Sequence, residues 1–288
     1  MSTRVDVRKT YKLYLGGKFP RSESGRSYEV VDAKGRFLAN ASMGSRKDAR
    51  EAVVAARAAF AGWSGATAYN RGQVLYRVAE VMEGRRAQFI DEVARGEGLT
   101  VRQARAAVDA AIDRWVWYAG WPDKLAQVLG SSNPVASPFF NFSLPEPTGV
   151  VAVIAPQRSS LLGLVSVIAP VIVSGNTCVV LASQERPLPA VTLGEVLATS
   201  DVPGGVVNLI TCHTAEVAPW LASHMDVNAI DLAGAGALAA DLEVAAADNV
   251  KRVLRADSAG EADWTADPGL SRVRPFLETK TVWHPIGL

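Results

Sequence analysis

The chain has 288 residues, 49% hydrophobic and 20% charged, with 30 Lys and Arg against 29 Asp and Glu and a formal net charge of +1. This composition suits a globular chain with a sizeable core, folded as one large domain or two small ones. So even a charge balance gives no bulk electrostatic case for nucleic acid or an anionic membrane as a partner.

The first residues carry Arg4, Arg8 and Lys9 mixed with Asp6, which predicts a solvated arm, not a binding patch. They lack the basic-then-apolar order of a signal peptide. Cys178 and Cys212 lie in or beside apolar strand patterns and read as small core residues of a reduced, cytoplasmic protein. The longest apolar stretch, Leu161 to Val173, contains Gly163 and Pro170 and falls short of the roughly 20 residues a membrane span needs. It reads as a buried helix.

Residues 11–45 alternate short apolar runs with turn signals, as in Tyr14-Leu15-Gly16-Gly17 and Lys34-Gly35, and predict two or three edge strands. Ser45, with Asp48 three residues on, is close to a capping box and opens an alanine-rich helix over Ala49 to Phe60. Arg71 to Arg95 reads as one long amphipathic helix, with Val74, Leu75, Val78, Val81 and Met82 on one face. Val101 to Leu129 reads as another, packing Trp117, Tyr118 and Trp121 on the domain core. Ser131 to Glu146 is rich in Ser, Pro, Asn and Phe and too apolar for a free linker.

The stretch from Glu146 to Glu185 organises the rest. A β-branched run, Val150 to Ala155, breaks at Pro156; an apolar helical run follows; a Gly175-Asn176 turn leads into a second β-branched run, Thr177 to Leu181. This is a βαβ unit whose strands are buried on both faces. The rhythm continues with a helix from Pro187 to Thr199, a strand from Val206 to Thr211, a helix from Ala215 to Ser223, a strand from Asn228 to Leu232, a helix from Ala237 to Ala247 and a strand from Val250 to Leu254. The prediction is an α/β fold: a Rossmann-like open parallel sheet of about five strands, with an N-terminal helical region and an extended β arm.

Common chemical motifs are absent. His213, His224 and His284 lack metal-ligand spacing. Ser159-Ser160 follow a strand without a nucleophile-elbow text, and neither a P-loop nor a GxGxxG follows the first strand.

The residues Pro147, Gly149, Pro156, Ala169, Pro170, Gly175, Asn176, Thr177, Val179, Val180 and Glu185 fit the pattern PxGVVxxIxPWNFP followed by APALAxGNTVVLKPSE. The texts YLGGKFPRSESGRSYEVVDAKG, WYAGWPDK and DVPGGVVNLIT fit as well. The chain therefore resembles the aldehyde dehydrogenase superfamily, and in particular the degenerate second module of its two-module family-16 members. The resemblance implies a hairpin and helices of the NAD-binding-type domain over 1–130, an oligomerisation arm over 131–148, a Rossmann-like sheet over 149–260 and a C-terminal oligomerisation strand over 270–288. Thr279-Lys280-Thr281-Val282 resembles the family's final strand, which normally follows a whole catalytic domain. Here it comes soon after the fifth strand, so the resemblance implies that the catalytic domain is missing.

The family reaction uses a cysteine nucleophile, an asparagine oxyanion donor and a glutamate base. Neither Cys178 nor Cys212 matches the nucleophile, Arg158 takes the asparagine position, and Ala256 takes the glutamate position with Asp257 one residue out of register. The ribose-holding lysine and glutamate fall on Ala182 and Glu185, and the pyrophosphate turn FTGS falls on Leu232-Ala233-Gly234-Ala235. What this implies is a non-catalytic subunit with no metal and no resident cofactor, binding NAD weakly if at all through Glu185 and Gly234. Its expected partner is a full-length aldehyde dehydrogenase, or itself, through the arm and residues Thr279, Lys280, Thr281 and Val282. The alternative is an NAD(P)-binding oxidoreductase or NAD-linked sensor using the degenerate site.

Overall fold

The computed structural model of the chain describes residues 9–256 and 262–287. Between residues 11 and 45 the chain forms one antiparallel hairpin, β1 (Ser27–Val31) against β2 (Phe37–Ser42). The segment around Tyr14 forms isolated bridges instead of a strand: Leu15 and Lys18 exchange backbone hydrogen bonds across a tight turn, and Tyr14 does so with Leu209.

Helix α1 (Arg46–Gly65) begins with the expected capping box, in which Ser45 Oγ accepts the Asp48 N–H and the Asp48 carboxylate accepts the Ser45 N–H at 2.8 Å. The long helix expected over Arg71 to Arg95 is two helices, α2 (Ala68–Gly84) and α3 (Arg86–Glu97). The break falls at Arg85, whose side chain bonds Gln88 and ion-pairs with Glu195. Hydrophobic periodicity misses it because Val78 and Met82 before the break and Phe89 and Val93 after it all enter one core. Likewise Val101 to Leu129 divides into α4 (Val101–Ala119) and a short α5 (Leu125–Leu129), with Gly120 and Pro122 between them.

Two sheets follow. Strands β3 (Ser131–Asn133) and β4 (Phe139–Pro147) belong to the arm. The main sheet then runs β5 (Val150–Ile154), α6 (Leu162–Ile172), β6 (Thr177–Leu181), α7 (Leu188–Ala198), β7 (Val207–Ile210), α8 (Thr214–Ser223), β8 (Ala229–Asp231), α9 (Ala239–Ala247) and β9 (Arg252–Leu254). Its strands are parallel in the order β7-β6-β5-β8-β9. Strand β9 starts two residues later than expected, because Val250 adopts φ 56 where α9 ends. Strand β10 (Leu277–Pro285) pairs antiparallel with β4 along its whole length, giving the arm the order β10-β4-β3.

All side chains of β5, β6 and α6 are buried, Pro170 within α6 included. Helices α4, α6 and α7 contribute to the core on one face of the sheet; α1, α8 and α9 contribute to the core on the other. Among the described residues no helix is long and apolar enough to cross a membrane.

Residues 262–276 close the first of these faces. Arg114, a buried residue of α4, donates to Ser166 Oγ at 3.0 Å and to the carbonyls of Trp264 and Ala266 at 2.9 Å each. Asp231, fully buried at the end of β8, is ion-paired with Arg272, whose guanidinium lies 5.3 Å from the Trp264 ring centroid. Removing one partner of a buried pair leaves an uncompensated charge. Arg272→Ala is expected to lower stability by about 3–5 kcal/mol, read from the urea unfolding midpoint.

Lys9 does not belong to a solvated arm. Its ammonium donates to Thr192 Oγ1 at 3.0 Å and pairs with Glu195 at 2.9 Å, while Arg4, Asp6 and Arg8 lie outside the described residues. Beneath it, Glu92 Oε1 accepts from Thr192 at 2.8 Å, Tyr11 at 3.0 Å and Gln88 at 3.1 Å, and Oε2 is buried without a partner. Burial raises the Glu92 carboxyl above its ordinary value of 4.5, against the lowering effect of those hydrogen bonds. A raised pKa means that the folded state holds the proton more tightly than the unfolded state, so stability falls as pH rises above about 4.5. Glu92→Gln keeps the Oε1 acceptor and is expected to flatten that decline and raise the melting temperature near neutral pH, measured by thermal denaturation across pH.

Candidate functional site

In this sheet the chain runs from β5 outward to β7, then returns to β8 on the other side of β5. The carboxyl ends of β5 and β8 therefore flank the topological switch point, where open α/β sheets bind ligands. A cavity of about 510 Å³ lies there, lined by residues that follow the strands: Gln157 and Arg158 after β5, Gln184 to Arg186 after β6, Thr214 at the start of α8, and Gly234 to Gly236 after β8.

Neutral amides cross-link these loops. Gln157 donates to the Ala155 carbonyl at 2.7 Å and accepts the Gln184 N–H at 3.0 Å, while Gln184 Oε1 accepts the Thr214 N–H at 3.2 Å. Ser183 Oγ donates to the Gln157 carbonyl at 2.8 Å, and Arg186 donates to the Arg158 carbonyl at 2.9 Å. Glu185 is exposed at the rim.

Gly234 serves packing first. A Cβ there would sit 1.8 Å from the Ala155 carbonyl oxygen, so only glycine lets this loop lie against the end of β5. Its N–H is already bonded to the Ile154 carbonyl at 2.8 Å, so this N–H is not free to meet a phosphate. The next segment forms a 3₁₀ turn over Gly236–Leu238, and α9 begins only at Ala239, two residues later than expected.

The model of the aldehyde dehydrogenase family matches residues 19–260. The chain belongs to the aldehyde dehydrogenase family. It is 32% identical to retinal dehydrogenase 2 from Gallus gallus over 248 residues, covering 84% of this chain and 47% of that protein. Among solved structures it is similar to PnpE from Pseudomonas sp. WBC-3, with a TM-score of 0.79, 28% identity, and 85% of this chain and 50% of that chain covered. It is also similar to a double mutant of betaine aldehyde dehydrogenase from Staphylococcus aureus in complex with NAD+, with a TM-score of 0.78, 25% identity, and 84% and 49% covered. The chain spans half or less of the length of the curated relatives it matches.

The geometry refines which residues stand at the aldehyde dehydrogenase positions. Strand β6 pairs with β5 and β7 without a bulge, from Thr177 opposite Val150 to Leu181 opposite Ile154. Counted without a gap from Gly175, the pattern GNTVVLKPSE puts its lysine on Leu181 and its glutamate on Gln184, each one residue before Ala182 and Glu185. Leu181 and Ala182 are both fully buried, and the Gln184 amide is occupied by Thr214. Neither register keeps the lysine. Ala256 lies just past β9, at the end of a described segment, and Asp257 lies outside the described residues.

Both thiols are buried, and burial is the leading cause that raises them; Cys212 is pushed up to about 12, with the nearby Glu216 and Asp48 carboxylates adding to the effect. A thiol so far from ionising is a poor nucleophile. His213 and His224 flank α8, His284 lies in β10, and among the described residues no cluster of His, Cys, Asp and Glu is placed to hold a metal.

Arg114 and Asp231 escape sequence reading because their partners lie 41 to 152 residues away. Two outcomes follow from this geometry. Gly234→Ala is expected to destabilise the fold by about 3 kcal/mol or more, the scale of overpacking against a fixed backbone, seen in the unfolding midpoint. A thiol reagent such as dithionitrobenzoate is expected to leave Cys178 and Cys212 unmodified in the native protein and to titrate both after denaturation.

Proposed function

We propose that this chain is a non-catalytic aldehyde dehydrogenase-like subunit that assembles with a full-length aldehyde dehydrogenase in the cytoplasm. The observation that carries this reading is the arm. It is an antiparallel sheet whose surface exposes Phe140, Leu144, Trp283 and Ile286, with Trp283 57% exposed. Strand β10 forms one edge of that sheet, including Thr279, Lys280, Thr281 and Val282. An open strand edge favours pairing with another strand. A partner strand adds alongside β10, next to Trp283 on one face of the sheet and on the side of Phe140 and Leu144 on the other.

The site supports the non-catalytic part. Arg158 and Ala256 stand at the positions where the resemblance places the oxyanion donor and the base, and neither buried cysteine lies at the nucleophile's position. Strand β9 ends at Leu254 and β10 begins at Leu277, an interval too short for a catalytic domain between them. A second reading, an NAD-linked oxidoreductase or sensor, is favoured by the switch-point cavity and by the NAD+ complex of the Staphylococcus aureus relative.

On the first reading the tagged chain, co-expressed with the full-length aldehyde dehydrogenase of its own host, elutes with it as one complex of defined mass in light scattering. Deleting residues 277–287 is expected to abolish the complex. A chain that stays monomeric beside the dehydrogenase, pairs only with itself, or keeps the complex after the deletion would sink the proposal. Calorimetry with NAD separates the readings: no binding, or a dissociation constant near about 1 mM, a free energy of only about −4 kcal/mol, is expected. Micromolar NAD binding would favour the second.

A further inference from the structure

We infer that the cleft between α2 and the carboxyl end of α4 is a binding site for an ammonium cation that carries an aromatic body. This cleft has a volume of about 870 Å³, within the roughly 300–1,000 Å³ typical of small-molecule sites. It shares no residue with the cavity at the switch point. One wall is α2, where Tyr69, Gln73 and Tyr76 follow one another at helical spacing. The two tyrosines are 74% and 51% exposed, and among the described residues neither ring has a cation over it. The opposite wall is Val116 and Ala119 at the end of α4, with Pro122 in the turn beyond. Asp201, past the end of α7, completes the rim.

The charge of the ligand follows from what is left unpaired. Helix α4 has 19 residues and no basic residue in its last turn, so the negative end of its dipole is uncompensated within the helix where it meets the cleft. At that end the carbonyls of Trp117 and Tyr118 accept backbone N–H groups, and that of Gly120 accepts the Lys124 ammonium at 2.6 Å. An amine is thus already drawn to this helix end, while the Ala119 carbonyl meets no donor among the described residues. The two bases of the lining are both engaged, Lys124 with Asp123 at 3.0 Å and Arg77 with Glu80 at 3.1 Å. That leaves Asp201, which among the described residues has neither a cation nor a hydrogen-bond donor on its carboxylate. Its φ of 61 lies in the left-handed region, where glycine costs least, yet a carboxylate stands there. A carboxylate only accepts, and the face of a tyrosine ring attracts positive charge. Together they call for an N–H-bearing cation on a flat apolar body. An anion of the same shape would meet like charge at Asp201 and at the helix end. This inference does not depend on whether the chain assembles with a dehydrogenase.

Calorimetry at neutral pH on the intact chain with 2-phenylethylamine, 2-phenylethanol and phenylacetate tests it, since the three share one body and differ in the head. The protonated amine is expected to bind about tenfold or more tightly than the alcohol, the scale of one charge-assisted hydrogen bond, and phenylacetate not to bind. Asp201→Asn is expected to weaken the amine by about tenfold and leave the alcohol unchanged. Should that variant fail to fold by circular dichroism, Asp201→Gly, which suits the left-handed backbone, takes its place. Tyr76→Leu keeps an apolar surface without the ring face and is expected to weaken the amine by about threefold, the scale of an exposed cation–π contact. The inference is overturned if the amine fails to bind, if the alcohol or phenylacetate binds as well, or if either the Asp201 or the Tyr76 variant leaves the affinity for the amine unchanged.

Discussion

Strand β5 is the element on which the rest depends. It pairs with β6 on one side and β8 on the other, and all its side chains are buried. Two asparagines fix its amino end. Asn176 Oδ1 accepts the Gly149 N–H at 2.8 Å while its amide nitrogen donates to Ser174 and to the Phe276 carbonyl, and Asn228 Oδ1 accepts from Val150 at 3.0 Å and from Arg57. Through Phe276 this buried network ties the sheet to the segment that leads into β10. Buried polar groups are tolerated only when satisfied, and here their satisfaction sets the register of the whole sheet against the arm.

The carboxyl end of the same strand shows the opposite economy. In place of charged groups awaiting a ligand, the loops at the switch point satisfy one another: Gln157 with Gln184, Gln184 with Thr214, Arg186 with the Arg158 carbonyl. Gly234 is retained because β5 lies against it, and its N–H is spent on Ile154. A residue can thus match a family pattern for a packing reason as well as for a ligand. The buried thiols follow the same rule: they fill space, and burial holds them protonated.

The segment from 262 to 276 gives this scaffold a closed face. Arg114 grips its backbone, Arg272 neutralises Asp231, and Trp264 covers the pair. The same segment forms one wall of an apolar cleft beside α4. Sealing the core and shaping a cleft are therefore one structural act, carried by residues outside the family match.

Sequence by itself determined the parallel sheet, the capping box at Ser45 and the placement of five strands, because runs such as Val150 to Ala155 and Thr177 to Leu181 have no polar face to show to water. It determined the family through the same apolar and glycine positions, and it showed that Arg158 and Ala256 replace the polar residues of the pattern. It misjudged the break at Arg85 and the one after Ala119, since helices on both sides bury into one core and periodicity does not register a change of direction. Only tertiary structure decided that Lys9 is anchored, that the Gly234 N–H is occupied, that β6 has no bulge to shift its register, and that Asp231 meets Arg272. Each of those contacts joins residues far apart in the chain, and no local pattern records a partner that folding alone brings near.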